Sequence, residues 1–196
     1  MPRFDFLIHN KSFSTKQHEG IKNNIPKFIE IVNPERIVEI GSYNFGFTAF
    51  LAEIFSKEIL TYEIVVDLKR KYQDLLDANI TNVTAKFLDI FSDKEFIYNY
   101  IQQEGKTLVF CDGGNKIEEF KFLSPFLKPG DIICAHDFKE TSWEGNRPEW
   151  PIEITNLDIE EAINDNNLTL FQENLMLPIV WGSYIKGETG EQRISI

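Results

Sequence analysis

Between residues 36 and 136 the sequence alternates between short apolar runs and amphipathic stretches, and few folds tolerate that rhythm. Residues 36–40, 59–63, 83–88, 107–111 and 131–136 read as buried strands. Residues 48–55, 68–78, 93–103 and 117–127 read as the helices between them, the last stopped by Lys128-Pro129-Gly130. Strands joined by helices run parallel, and a parallel sheet needs cover on both faces. The expectation is an α/β fold with a doubly wound, mostly parallel sheet.

The rhythm changes after residue 137. Residues 138–151 hold Trp143, Gly145, Pro148, Trp150 and Pro151 with little periodicity, which predicts a long loop of the kind that forms lids. A helix over 158–166 follows. Strands over 168–173 and 179–185 then read as a C-terminal antiparallel hairpin, completing seven strands. Ahead of the sheet, Ile21, Ile25, Phe28, Ile29 and Val32 are spaced by three and four, which predicts a helix over 14–31 capped by Ser14 or Thr15 and ended by Asn33-Pro34. Residues 1–35 are therefore expected as a helical extension of a domain spanning 36–196. The 17 phenylalanines supply bulk for a large core. A net charge of −11 disfavours nucleic acid and anionic membranes as partners, and Lys69-Arg70-Lys71 reads as a solvated helix face. Cys111 and Cys134 both lie in apolar runs and read as packing residues of a reduced, cytoplasmic protein. The N-terminal residues lack an apolar signal region.

Chemistry concentrates where the strands end. In Val38-Glu39-Ile40-Gly41-Ser42-Tyr43-Asn44-Phe45-Gly46-Phe47-Thr48-Ala49 a strand meets a glycine turn and then a helix, a junction that brings free amides close to a ligand. It also suits an ordinary tight turn. Gly41 and Gly46 match the ends of a dinucleotide fingerprint, but Tyr43 fills its middle glycine position and hinders a pyrophosphate. No P-loop lysine follows. Glu63 lies 22 residues beyond Gly41, at a strand end where an acid can accept bonds from both hydroxyls of a ribose. Asp89 ends the next strand and borders the same crevice, within reach of an adenine amino group. Asp112 and Asp137 end strands four and five. Neighbouring strands are about 4.8 Å apart, so both carboxylates could reach one divalent ion. His136 is either a general base, a ligand for a softer metal, or a bonded core residue. Asp112 and Asn115 also suit the turn and cap before the next helix.

Taken in order, these segments resemble the motifs of class I S-adenosylmethionine-dependent methyltransferases. Glu39-Ile40-Gly41 with Gly46-Phe47-Thr48-Ala49 resembles their first motif, and Glu63 and Asp89 resemble the acids on the ribose and adenine sides. Cys111-Asp112-Gly113-Gly114, then Phe122-Leu123-Ser124-Pro125-Phe126-Leu127-Lys128-Pro129-Gly130-Asp131, then His136-Asp137, are similar to the macrocin O-methyltransferase and cephalosporin-hydroxylase-like small-molecule group. Asn115 stands where relatives often carry His, and Phe138 where catechol-type enzymes carry an Asn metal ligand. The resemblance implies a Rossmann-like fold and O-methylation of a small hydroxylated metabolite such as a sugar, with a homo-oligomer compatible with it. It implies that Glu39, Gly41, Ser42, Gly46, Glu63, Asp89, Ile90 and Asp112 hold S-adenosylmethionine. It further implies that Asp112, His136 and Asp137 do the catalytic work, with Asp112 and Asp137 on a magnesium ion, or manganese in its place. Two alternatives stand beside it: a catalytically weak cofactor-binding scaffold of the same fold, and a nucleotide-dependent oxidoreductase.

Overall fold

The structure is a computed structural model and describes residues 4–139 and 153–188. Its centre is a seven-stranded sheet. The parallel strands are β3 (Arg36–Ile40), β4 (Glu58–Tyr62), β5 (Val83–Lys86), β6 (Thr107–Cys111) and β7 (Ile132–His136), alternating with α2 (Gly46–Ile54), α3 (Lys69–Asp77), α4 (Lys94–Ile101) and α5 (Lys116–Leu123). The chain enters at β3 in the middle, steps outward through β4 and β5, and crosses back to β6 and β7 on the other side of β3. The gap between β3 and β6 is thus the point where the winding direction reverses, and open α/β sheets bind ligands at the carboxyl edge there.

Each strand serves two cores. Ile37, Ile59, Leu108 and Ile132 face one side, packed with residues of α2, α3 and an N-terminal helix, α1 (Ile21–Val32). Val38, Leu60, Val109 and Ile133 face the other, packed with residues of α4, α5 and α6 (Asn156–Asp165). In a sheet covered on both faces, successive side chains along a strand enter opposite cores and nearly every position is buried, which is why these strands read as mostly apolar runs. Cys111 and Cys134 are buried free thiols on opposite faces, and burial pushes both well above the ordinary thiol range.

The expected C-terminal hairpin is present, with β11 (Trp181–Lys186) inserted between β7 and β10 (Leu168–Leu170), antiparallel to both. A short helix, α7 (Glu173–Met176), occupies the connection. Phe138–Lys139 forms a short strand, β8, paired in parallel with β9 (Ile154–Thr155). The rest of the expected loop, including Trp143 and Trp150, lies outside the described residues. Among the described residues no helix is long and apolar enough to cross a membrane.

The N-terminal expectation needs correction. The helix starts at Ile21, and before it comes a hairpin of β1 (Phe4–Ile8) and β2 (Lys11–Thr15). His9 and Asn10 form its two-residue turn, both with positive φ (44° and 66°), the geometry that matches the twist of paired strands. Ile8 and Phe13 of the hairpin are buried in the same cluster as α1 and α2. Residues 14–20 carry no apolar stripe, so a helix counted back from Ile21 loses its buried face before it reaches Ser14.

Candidate functional site

A cavity of about 580 Å3 opens at the carboxyl edge of β3, β4, β6 and β7, where the winding reverses. The loop after β3 forms one wall. Gly41 has φ +85°, and a side chain there would lie 2.5 Å from the Asp112 carbonyl oxygen and 2.6 Å from the Gly113 nitrogen. Glycine therefore lets the β3 and β6 loops close against each other. Glu63, directly after β4, ties this loop down. Its Oε2 accepts the Tyr43 amide at 2.6 Å and the Ser42 hydroxyl at 3.4 Å, and its Oε1 accepts the Val65 amide at 2.8 Å. The carboxylate is buried yet lines the cavity. Beside it the cavity wall is apolar: Ile64 and Val65 follow Glu63, and Leu88, Ile90 and Phe91 flank Asp89. Ile64, Val65 and Phe91 are exposed despite their size, and apolar surface left open in a concave site is surface for a ligand. Asp89 caps the short turn that follows β5, its Oδ1 accepting the Phe91 amide at 3.1 Å.

The other end of the cavity is a polar network between β6 and β7. His136 Nδ1 lies 2.8 Å from Asp112 Oδ1 and 3.5 Å from Asp137 Oδ1. Its ring lies against Trp181, centroids 4.7 Å apart. Asp112 Oδ2 accepts from Gln17 Nε2 at 2.6 Å, and Gln17 Oε1 accepts from the Trp181 indole at 3.1 Å. Lys116, the first residue of α5, is buried, with Nζ 3.2 Å from Asp137 Oδ2 and 2.6 Å from Glu153 Oε2. Burial pulls its pKa down, but the bond to Glu153 and the charges of Asp112 and Asp137 outweigh that and leave it above the ordinary lysine value. Glu119 fastens the β6 loop through the Gly113 and Asn115 amides, and burial raises it to about 7. Asn115 caps α5, its Oδ1 accepting from Glu118.

Gly41, Ser42, Glu63, Asp89, Ile90, Asp112, His136 and Asp137 all line this one cavity. Glu39 and Gly46 do not. Glu39 is fully buried under the loop, accepting hydroxyl bonds from Thr48 at 2.6 Å and Thr61 at 2.7 Å, and burial raises it to about 7. Gly46 faces the N-terminal hairpin, where a side chain would strike the Ser14 carbonyl. The sequence reading missed Gln17, Lys116 and Glu153. Lys116 could have been found four residues beyond Asp112; nothing in the sequence marks Gln17.

One atom each from Asp112, His136 and Asp137 lies within 4.8 Å of the others, a set that could hold a metal ion. As placed, these groups are already paired: Asp137 Oδ2 lies 3.2 Å from the Lys116 ammonium, and Asp112 meets both Gln17 and His136.

No protein-family profile matches the sequence, and no curated protein matches it. Solved structures do. A Staphylococcus aureus protein with a provisional caffeoyl-CoA O-methyltransferase assignment superposes with a TM-score of 0.60 at 16% identity, over 83% of this chain and 81% of that one. The Mg-SAM form of CmcI gives 0.59 at 14% identity, over 88% and 73%. The O-methyltransferase TomG from Streptomyces achromogenes, involved in tomaymycin synthesis and solved with SAM, gives 0.52 at 13% identity, over 84% and 78%. The chain shares their fold. The α/β, Rossmann-like architecture expected from the sequence, with its mostly parallel seven-stranded sheet and antiparallel end, is thereby established.

Proposed function

We propose that this protein is an S-adenosylmethionine-dependent methyltransferase acting on an oxygen of a small hydroxylated metabolite, such as a sugar. The observation that carries this reading is Glu63. It stands at the end of β4 inside the cavity, bonded to an amide of the glycine loop, with an open apolar wall beside it. Gly41, Ser42 and Glu63 would hold the ribose and amino-acid portions of the cofactor. Asp89 would meet the adenine amino group, with Ile64, Val65, Ile90 and Phe91 against the ring. Bound there, the cofactor supplies an electrophilic methyl group.

The polar end then prepares the acceptor. A carboxylate only accepts, so the bond between Asp112 and His136 assigns the proton to Nδ1 and leaves Nε2 as the basic atom. Asp112 thus fixes the tautomer; Nε2 is buried as placed, so His136 would take a hydroxyl proton once the ring shifts against Trp181 to meet the acceptor. Gln17, anchored by Trp181, holds the second oxygen of Asp112 and fixes the plane of that carboxylate. The cavity volume lies within the ~300–1,000 Å3 of small-molecule sites, which supports a small acceptor.

Calorimetry with S-adenosylhomocysteine tests the cofactor. Wild type is expected to bind it, and Glu63→Ala to bind it about 1.5–3 kcal/mol more weakly, the scale of hydrogen bonds to a charged group. Binding of a nicotinamide dinucleotide in place of both S-adenosylmethionine and S-adenosylhomocysteine would overturn the reading.

A further inference from the structure

We propose that Lys116 is the resident cation at the acceptor end of the cavity, taking the electrostatic place of a divalent ion, and that an acceptor oxygen is received at its ammonium in exchange for Glu153. This rests on the methyl-transfer reading above. Two carboxylates and an imidazole converge after β6 and β7, and carboxylates held this close repel unless a cation lies between them. The chain provides one. Three oxygens surround Lys116 Nζ: the Gly113 carbonyl at 3.1 Å, Glu153 Oε2 at 2.6 Å and Asp137 Oδ2 at 3.2 Å. An ammonium has three N–H groups, so these partners use all of its capacity.

The three partners differ in access to solvent. The Gly113 carbonyl belongs to the loop fastened by Glu119, and Asp137 is buried. The Glu153 side chain is 45% exposed, so it is the partner an incoming ligand can replace. An oxygen arriving there meets a buried positive charge on one side and His136 within the same wall. That charge stabilises a developing alkoxide, which is the service a divalent ion renders to an oxygen nucleophile. The neighbouring donors are committed as well. Gln17 holds one oxygen of Asp112 and His136 the other. A divalent ion placed among them would sit against the ammonium, and like charges at ~4 Å repel strongly in a partly buried site.

Titration of magnesium chloride and of manganese chloride into the chelator-stripped full chain tests this, comparing wild type with Lys116→Met by calorimetry. Removing the ammonium is expected to strengthen divalent-ion binding about tenfold or more. Equal binding by the two proteins, or none by Lys116→Met, overturns the proposal. Should Lys116→Met not fold, wild type and Asp137→Asn decide the matter. Ion binding by wild type that Asp137→Asn abolishes refutes a resident ammonium, and absence of binding to wild type supports it. S-adenosylhomocysteine binding is measured on the same preparations. Its loss in wild type would sink the methyl-transfer reading while leaving the ion titration interpretable on its own.

Discussion

Gly46→Ala sets local propensity directly against packing. Gly46 is the first residue of α2, and its backbone carries no positive φ. By propensity alone, alanine should stabilise a helix by about 1 kcal/mol over glycine. Packing gives the opposite sign. A β-carbon at this position would lie 2.5 Å from the Ser14 carbonyl carbon, nearer still to its oxygen, and 3.0 Å from Thr15 Cα. All three are backbone atoms of β2, so no side chain can swing aside. The hairpin must move by about an ångström or leave α2. Overpacking of this kind costs about 1–3 kcal/mol even when side chains can adjust, and displacing β2 also loosens the cover over Phe13 and the seat of Gln17. The net expectation is a loss of about 2 kcal/mol, which for a chain of 196 residues corresponds to a fall of roughly 4–8 °C in Tm. Urea unfolding followed by circular dichroism measures it. A Gly46→Ala variant as stable as wild type, or more stable, would refute the seating of the hairpin on α2.

Two further expectations concern titrating groups. Burial raises Glu39 from an ordinary 4.5 to about 7, so the fold favours its neutral form. Its contribution to stability is complete below pH 4.5 and is lost as the pH rises to about 7. Glu39→Gln should therefore gain on wild type by up to about 3 kcal/mol between pH 4.5 and pH 8; urea midpoints that differ by the same amount at both pH values would contradict a buried, protonated Glu39. Glu119, raised to about 7 for the same reason, remains in both proteins and leaves a residual slope. His136→Ala should lower kcat by about 10²–10⁴, the range of general-base catalysis, with S-adenosylhomocysteine affinity unchanged. An equal loss of cofactor affinity would move His136 from proton transfer to cofactor binding.

The sheet was legible because its strands are buried on both faces. Residues 36–40 and 107–111 are buried at every position because neighbours along the strand enter different cores, so Ile37-Val38 and Leu108-Val109-Phe110-Cys111 are apolar in succession, a pattern no single helix face asks for. The N-terminal hairpin was not legible by the same logic. Phe4, Phe6 and Ile8 alternate on one short strand, but the signal is three residues long, and the stronger stripe in α1 drew the helix boundary back across β2. The turn at His9-Asn10 carries no glycine, so the commonest hairpin marker was missing.

The site divides along the same physical line. Glu63, Asp89, Asp112 and Asp137 were readable because strand ends in an open α/β sheet share one edge by topology, whatever the side chains between them do. Glu39 lies on that edge too, but one residue earlier in the pleat, where its side chain meets Thr48 and Thr61 instead of the cavity. The tertiary partners obey no such rule. Gln17 reaches Asp112 across 95 positions of sequence, and its placement depends on the hairpin seated on α2. A glycine counted as part of a ligand loop thus works at a distance from the ligand. Gly46 admits β2, β2 delivers Gln17, and Gln17 with Trp181 sets the plane of the carboxylate that orients His136.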